Sequence, residues 1–184
     1  MYLSTPLIEI LQNSYISVRD VKSQKELAKY NIKSQCHLDL SYNMKVSFPD
    51  SERNGLVIGT FSMDYDERKK SASSVSLFTE NWEDLVTRLS KANYFITSRH
   101  HEMIAACLAQ CPFYVYQGNS WKNEGLLETA GVKIPCRKED EKVLDFMKGT
   151  EGATIFHDEV QEIEDNRQEY DKLFKEWEKL NDRR

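Results

Sequence analysis

The chain has 184 residues, 40% of them hydrophobic and 11% aromatic, and its 25 Lys and Arg against 30 Asp and Glu give a net charge of -5. That suffices for one packed domain of ordinary size and leaves no basic stripe to hold a nucleic acid. No apolar run is long enough to span a bilayer, no secretory leader precedes the first expected helix, and Cys36, Cys107, Cys111 and Cys136 lack metal-ligand spacing.

Thr5-Pro6 opens the first expected helix, Thr5 as cap and Pro6 at the first helical position, and Leu7, Ile8, Ile10 and Leu11 supply its apolar side. Tyr15 to Val18 reads as a strand ending in Arg19-Asp20, and Val21 to Tyr30 as a helix with Leu27 and Tyr30 inward. Ile32 to Leu40 is an extended segment that carries Cys36, His37 and Asp39. His37 and Asp39 alone read as structural rather than as a metal or acid–base pair. Leu56 to Phe61 looks like a central strand, and Asp64 to Ser74, dense in charge and serine, like an exposed loop. Thr79 to Leu89 is a helix with Trp82, Leu85, Val86 and Leu89 on one face and Thr79 or Asn81 as cap.

The chemistry gathers at the next segment. Tyr94 to Thr97 is a short apolar run suited to a strand buried on both faces. Ser98, Arg99, His100 and His101 follow directly, then an Ala-rich helix from Met103 to Ala109. A strand feeding straight into a helix puts this joint at the carboxyl edge of a parallel sheet, where open α/β sheets bind ligands and free helix N–H groups favour anions. Adjacent helical residues diverge by about a quarter-turn, so the two histidines do not share one ligand. His101 is expected inward, His100 at the rim beside Glu102 or solvent.

Pro112 to Tyr116 is the following strand, and Trp121 to Ala130 a helix stopped by Gly131. Pro112 ends the preceding helix before Cys111 can join Cys107, which favours buried, reduced thiols in a cytoplasmic protein. Val132 to Pro135 reads as a short edge strand. Lys138 to Lys148 reads as a helix with Val143, Leu144, Phe146 and Met147 inward and Gly149 at its end. The alternation from Ser14 to Gly149 predicts a Rossmann-like α/β domain over residues 1–150, a parallel sheet flanked by helices. Residues 151–184 read as one long amphipathic helix. Its heptad-like seam is Phe156, Val160, Ile163, Arg167, Tyr170, Phe174, Trp177 and Asn181. The seam packs on the domain; exposure of Tyr170, Phe174 and Trp177 would instead make it a homodimer contact.

Three stretches resemble the polysaccharide pyruvyl transferases. Ile16-Ser-Val-Arg19-Asp20, a helix, then Cys36-His-Leu-Asp39 looks like the segment joining that family's two halves. Tyr94-Phe-Ile-Thr-Ser-Arg99-His100-His101 resembles its Arg-x-His signature. Cys111-Pro-Phe-Tyr-Val-Tyr, Trp121-Lys122 and Gly125-Leu-Leu-Glu-Thr-Ala-Gly-Val are similar to the strand, lysine and helix that follow. Together they cover most of Tyr15 to Ile134, the C-terminal, donor-side half. The resemblance implies half of a glycosyltransferase B-type fold and transfer of pyruvate from phosphoenolpyruvate to saccharide hydroxyls as a ketal.

On that resemblance Arg99 holds the donor's carboxylate or phosphate and His101 is a phosphate ligand or general acid, the two catalytic residues. Arg19 and Lys122 are further substrate-binding cations, and neither a metal nor a cofactor beyond the donor is implied. Two anionic groups close together suit guanidinium forks and a helix terminus, and no glycine-rich phosphate loop is present. The family's N-terminal half has no counterpart before Tyr15, which keeps a truncated or inactive member open. Beside it stand a non-catalytic α/β assembly or binding domain and a small nucleotide-sugar glycosyltransferase relative.

Overall fold

The computed structural model describes residues 4–37, 41, 44, 52–61, 81–118 and 120–182. Its N-terminal portion runs α1 (Thr5–Gln12), β1 (Ser17–Val18), α2 (Val21–Ala28) and β2 (Gln35–Cys36), with β1 and β2 paired in parallel. Ser4 rather than Thr5 holds the N-cap position of α1, without a side-chain capping bond, and α2 is capped by Asp20, whose carboxylate accepts from the Ser23 N–H. Within the extended segment expected from Ile32 to Leu40, the described residues place β2 at Gln35–Cys36. Leu38 to Leu40 with Asp39, the loop from Asp64 to Ser74, and Thr79 lie outside the described residues.

The main sheet follows as β3 (Leu56–Ile58), α3 (Trp82–Ser90), β4 (Tyr94–Thr97), α4 (His100–Leu108), β5 (Phe113–Tyr116), α5 (Lys122–Ala130) and β6 (Cys136–Arg137). All four strands are parallel in the order β3-β4-β5-β6, with Leu56 opposite Tyr94, Phe95 opposite Phe113 and Val115 opposite Cys136. Every residue of β5 is buried, as an apolar run between two helical layers requires. Sequential order with right-handed crossovers sets α3, α4 and α5 on one face. The chain ends in α6 (Glu141–Lys148), a 3-10 turn over Ala153–Phe156, α7 (His157–Asp165) and α8 (Arg167–Asp182). Helix α7 packs on β4 and β5, where the Tyr116 hydroxyl donates to Glu159 at 2.9 Å. The Rossmann-like α/β architecture expected from the alternation is the one observed.

Three elements differ from expectation. The segment read as a central strand from Leu56 to Phe61 is Leu56–Ile58, and among the described residues it lies at the end of the sheet order. The edge strand is Cys136–Arg137, not Val132 to Pro135. Val132 and Ile134 are buried without ladder pairing, and Pro135 has no N–H to give a ladder. The long C-terminal helix is two helices, broken at Asn166, whose side-chain amide bonds back to the Glu162 carbonyl at 2.8 Å.

Its seam is nonetheless real. Phe156, Ile163, Tyr170, Leu173 and Trp177 belong to the same core cluster as Ile58, Phe95 and Val115, so the segment from Phe156 to Trp177 shares the domain's core. Tyr170 and Trp177 are only 2% and 4% exposed, which removes the bare aromatic patch that would have argued for a dimer.

Arg167, a polar interruption of that seam, grips Glu164 with two guanidinium nitrogens at 2.7 and 3.0 Å and lies over the Tyr94 ring at 5.8 Å. The Arg167 bonds, then the Tyr94 hydroxyl, pull the Glu164 carboxyl from 4.5 down to about 2. A depressed carboxyl pKa stabilises the fold fully above the unfolded value and loses that contribution as pH falls through the folded one. Glu164→Gln should therefore lower stability at neutral pH, modestly because the pair is partly exposed, and the difference from wild type should shrink as pH falls from about 4.5 to 2, which flattens the acid limb. Urea midpoints measured across that range check it; an unaltered acid limb would refute the linkage.

Candidate functional site at the carboxyl edge of the sheet

The carboxyl ends of β3, β4 and β5 are held in place by two buried polar side chains. The first is Glu102, in the opening turn of α4 and 1% exposed. One oxygen accepts from the Thr60 backbone N–H at 2.9 Å and the Thr97 hydroxyl at 2.6 Å; the other accepts from the Thr60 hydroxyl at 2.5 Å. Thr97 in turn accepts the Arg99 N–H at 3.0 Å. The residue that joins strand to helix is thus tied through one hydroxyl to the buried carboxylate. Burial raises the Glu102 pKa, an effect that the threonine bonds and the charge of Arg99 offset only in part. The backbone must come very close here: a Cβ on Gly59 would stand 2.4 Å from a Glu102 carboxylate oxygen and 2.7 Å from the Phe95 ring.

The second is Asn123, also 1% exposed, in the first turn of α5. Its amide donates to the Ser98 carbonyl at 2.8 Å and the Tyr116 carbonyl at 2.9 Å, bridging the ends of β4 and β5 to the start of α5. The start of α5 carries α2 on its other side. Asp20, 3% exposed, accepts from the Ser23 N–H at 2.7 Å and its hydroxyl at 2.8 Å. It packs so closely on Gly125 that a Cβ there would lie 2.8 Å from an Asp20 oxygen. The Val21 N–H adds a bond to the Thr129 hydroxyl at 3.1 Å.

The expected site residues fall at helix starts: Arg99, His101 and Lys122 at the carboxyl edge of the main sheet, and Arg19 at the end of β1 in the two-stranded sheet. Arg19 precedes the cap of α2, Arg99 and His101 open α4, and Lys122 opens α5. The links run from Asp20 to Gly125, and from Asn123 to Ser98. The starts of α4 and α5 follow β4 and β5 at the same edge, each with a cation beside it, an arrangement suited to anions; the first N–H groups of α2 are taken by Asp20 and Thr129. Arg19 and Arg99 are half-buried; Lys122 and His101 are exposed.

The histidine orientations are the reverse of those expected. His100 is the half-buried one, both ring nitrogens out of solvent contact, and His101 faces solvent with the two rings 5.5 Å apart. His101 is thus open to a diffusing ligand. Glu102 and Asn123 were not singled out as structural centres from sequence. The available signal was a lone carboxylate opening a helix that otherwise has no polar surface.

The buried thiols are no nucleophiles, since burial pushes Cys111 up to about 12 and Cys107 well above its usual range. Among the described residues no group of three or more His, Cys, Asp or Glu could hold a metal, and exposed His37 sits 3.2 Å from Gln35. No helix among them is long and apolar enough to cross a membrane.

A family model described as polysaccharide pyruvyl transferase matches residues 7–120. That span begins before and ends earlier than the motif resemblance over Tyr15 to Ile134, takes in Arg19, Arg99 and His101, and stops short of Lys122. No curated protein and no solved structure matches the chain.

Proposed function

Because the chain belongs to the polysaccharide pyruvyl transferase family, we propose that it transfers the pyruvyl group of phosphoenolpyruvate to two hydroxyls of a saccharide, forming a ketal and releasing phosphate. The observation that carries this reading is that Arg99 and Lys122 stand at the starts of α4 and α5 on the carboxyl edge of the main sheet, with Arg19 just before α2, which packs on α5. The donor carries its carboxylate and its phosphate on one enol carbon, so it asks for several positive groups in one place.

In this scheme Arg99, seated by the Thr97–Glu102 contact, takes the donor's carboxylate or phosphate. A first saccharide hydroxyl adds to the enol carbon while exposed His101 gives a proton to the methylene carbon and recovers one from that hydroxyl. A second hydroxyl then displaces phosphate from the same carbon, and its proton leaves with the phosphate. The leaving group's charge is met by Arg19, Lys122 and the helix N–H groups.

Thermal unfolding separates this from a nucleotide-sugar enzyme. Phosphoenolpyruvate at a hundredfold excess over its Kd should stabilise the protein by about 2.7 kcal/mol, a rise of roughly 5 to 10 °C in Tm. Uridine and guanosine diphosphates should leave Tm unchanged. Protection by a nucleotide and none by phosphoenolpyruvate would reverse the assignment.

A further inference from the structure

Five large hydrophobic side chains are exposed among the described residues, namely Leu7, Ile10, Tyr15, Met44 and Trp121. Trp121 alone of these stands at the start of α5, one residue before Lys122 and two before the asparagine that binds the Ser98 carbonyl. Its indole is 39% exposed yet held in place. The indole N–H reaches the Ser23 hydroxyl oxygen at 3.4 Å, Ser23 donates to Asp20, Asp20 packs on Gly125, and the Gly125 N–H returns to the Trp121 carbonyl at 2.8 Å. This closed ring of contacts fixes an aromatic side chain between two helix starts while leaving much of it wet. An indole left wet forgoes the stabilisation of burial, so fixing one there without covering it suggests that a ligand does the covering.

We propose that Trp121 is the platform on which a pyranose ring of the acceptor stacks, an inference that rests on the pyruvyl transferase reading. One face of a pyranose is lined by C–H bonds and its rim by hydroxyls. The C–H face suits the electron-rich face of an indole, and the rim hydroxyls then point toward the neighbouring Lys122 and the donor edge. A sugar with an axial hydroxyl on the stacked face loses that contact, so the platform also selects among epimers.

The test uses the full chain and three probes: the methyl pyranosides of glucose, galactose and mannose, each added with saturating phosphoenolpyruvate. Trp82 is half-buried and Trp177 buried, so acrylamide quenching of tryptophan fluorescence reports mainly on Trp121. At least one glycoside should shield the wild-type fluorescence from acrylamide, and the shielding should vanish in Trp121→Phe. Trp121→Ala should weaken binding of that glycoside about tenfold while phosphoenolpyruvate affinity stays unchanged, which also shows that the variant is folded. Donor binding without shielding by any of the three would overturn the platform and leave the donor site standing. Shielding by a glycoside in a protein that binds no phosphoenolpyruvate would uphold the stacking and sink the donor reading. If Trp121→Ala does not fold, the wild-type quenching decides alone.

Discussion

Glu102→Ala is expected to lower unfolding free energy by roughly 3–4 kcal/mol, the largest loss of any single truncation at the candidate site. The substitution removes the acceptor of three hydrogen bonds at a side chain that is 1% exposed. The two threonine hydroxyls can turn toward other acceptors, but the Thr60 N–H cannot, and a buried unpaired donor costs about 1–3 kcal/mol. A cavity at the junction of β3, β4 and α4 adds to it. Because Thr97 bonds both Glu102 and the Arg99 N–H, loosening it also lets the guanidinium wander, so donor affinity should fall together with stability.

Glu102→Gln keeps the shape and most of the bonds, and should cost only about 1 kcal/mol. It should also remove a pH dependence. The native state binds the Glu102 proton more tightly than the unfolded chain, so the stability due to the protonated group is lost as pH rises from the unfolded value through the folded one. The Gln variant should be flatter over that window, as urea melts at a series of pH values will show. A Glu102→Ala protein as stable as wild type would mean that the carboxylate does not hold the edge.

Gly59→Ala is expected to destabilise by about 3 kcal/mol, an unusual cost for one added methyl group. No left-handed backbone is involved; the cause is space alone. The new Cβ would overlap a carboxylate oxygen at 2.4 Å and a buried ring carbon at 2.7 Å, and neither neighbour is the free end of a surface chain. Relief requires β3 to part from β4 or Glu102 to leave Thr60, and either disturbs the joint that seats Arg99. Gly131→Ala is a useful contrast, since nothing lies within 4 Å of its Cβ and its cost comes from φ +67 instead. Equal stability of Gly59→Ala and wild type in a denaturant titration would contradict the close packing described.

The strand–Arg-x-His–helix joint was legible because it is local: four β-favouring residues run without a break into an Ala-rich helix. Capping of α3 by Asn81 and the stop of α5 at Gly131 are local in the same way. Glu102 was not legible, since its partner Thr60 is 42 residues away and the pairing exists only once two strands are adjacent. Sequence could say that His100 and His101 diverge, but not which turns inward. That depends on how α4 is rotated against the sheet.

The aromatic seam from Phe156 to Trp177 showed its contact face in its spacing, while its cover, the domain's own core, is a tertiary fact. The break at Asn166 comes from one amide competing for a helix carbonyl, a choice that heptad spacing does not register.

The most direct measurement is isothermal titration of phosphoenolpyruvate into the wild-type chain and Arg99→Ala. Arg99 at the start of α4 on the carboxyl edge of the sheet predicts saturable binding by the wild type and a loss of about ten- to a hundredfold in the variant, the worth of a charge-assisted contact. A folded wild type that takes up no donor at roughly millimolar concentration, or a variant that binds as well as its parent, would contradict it.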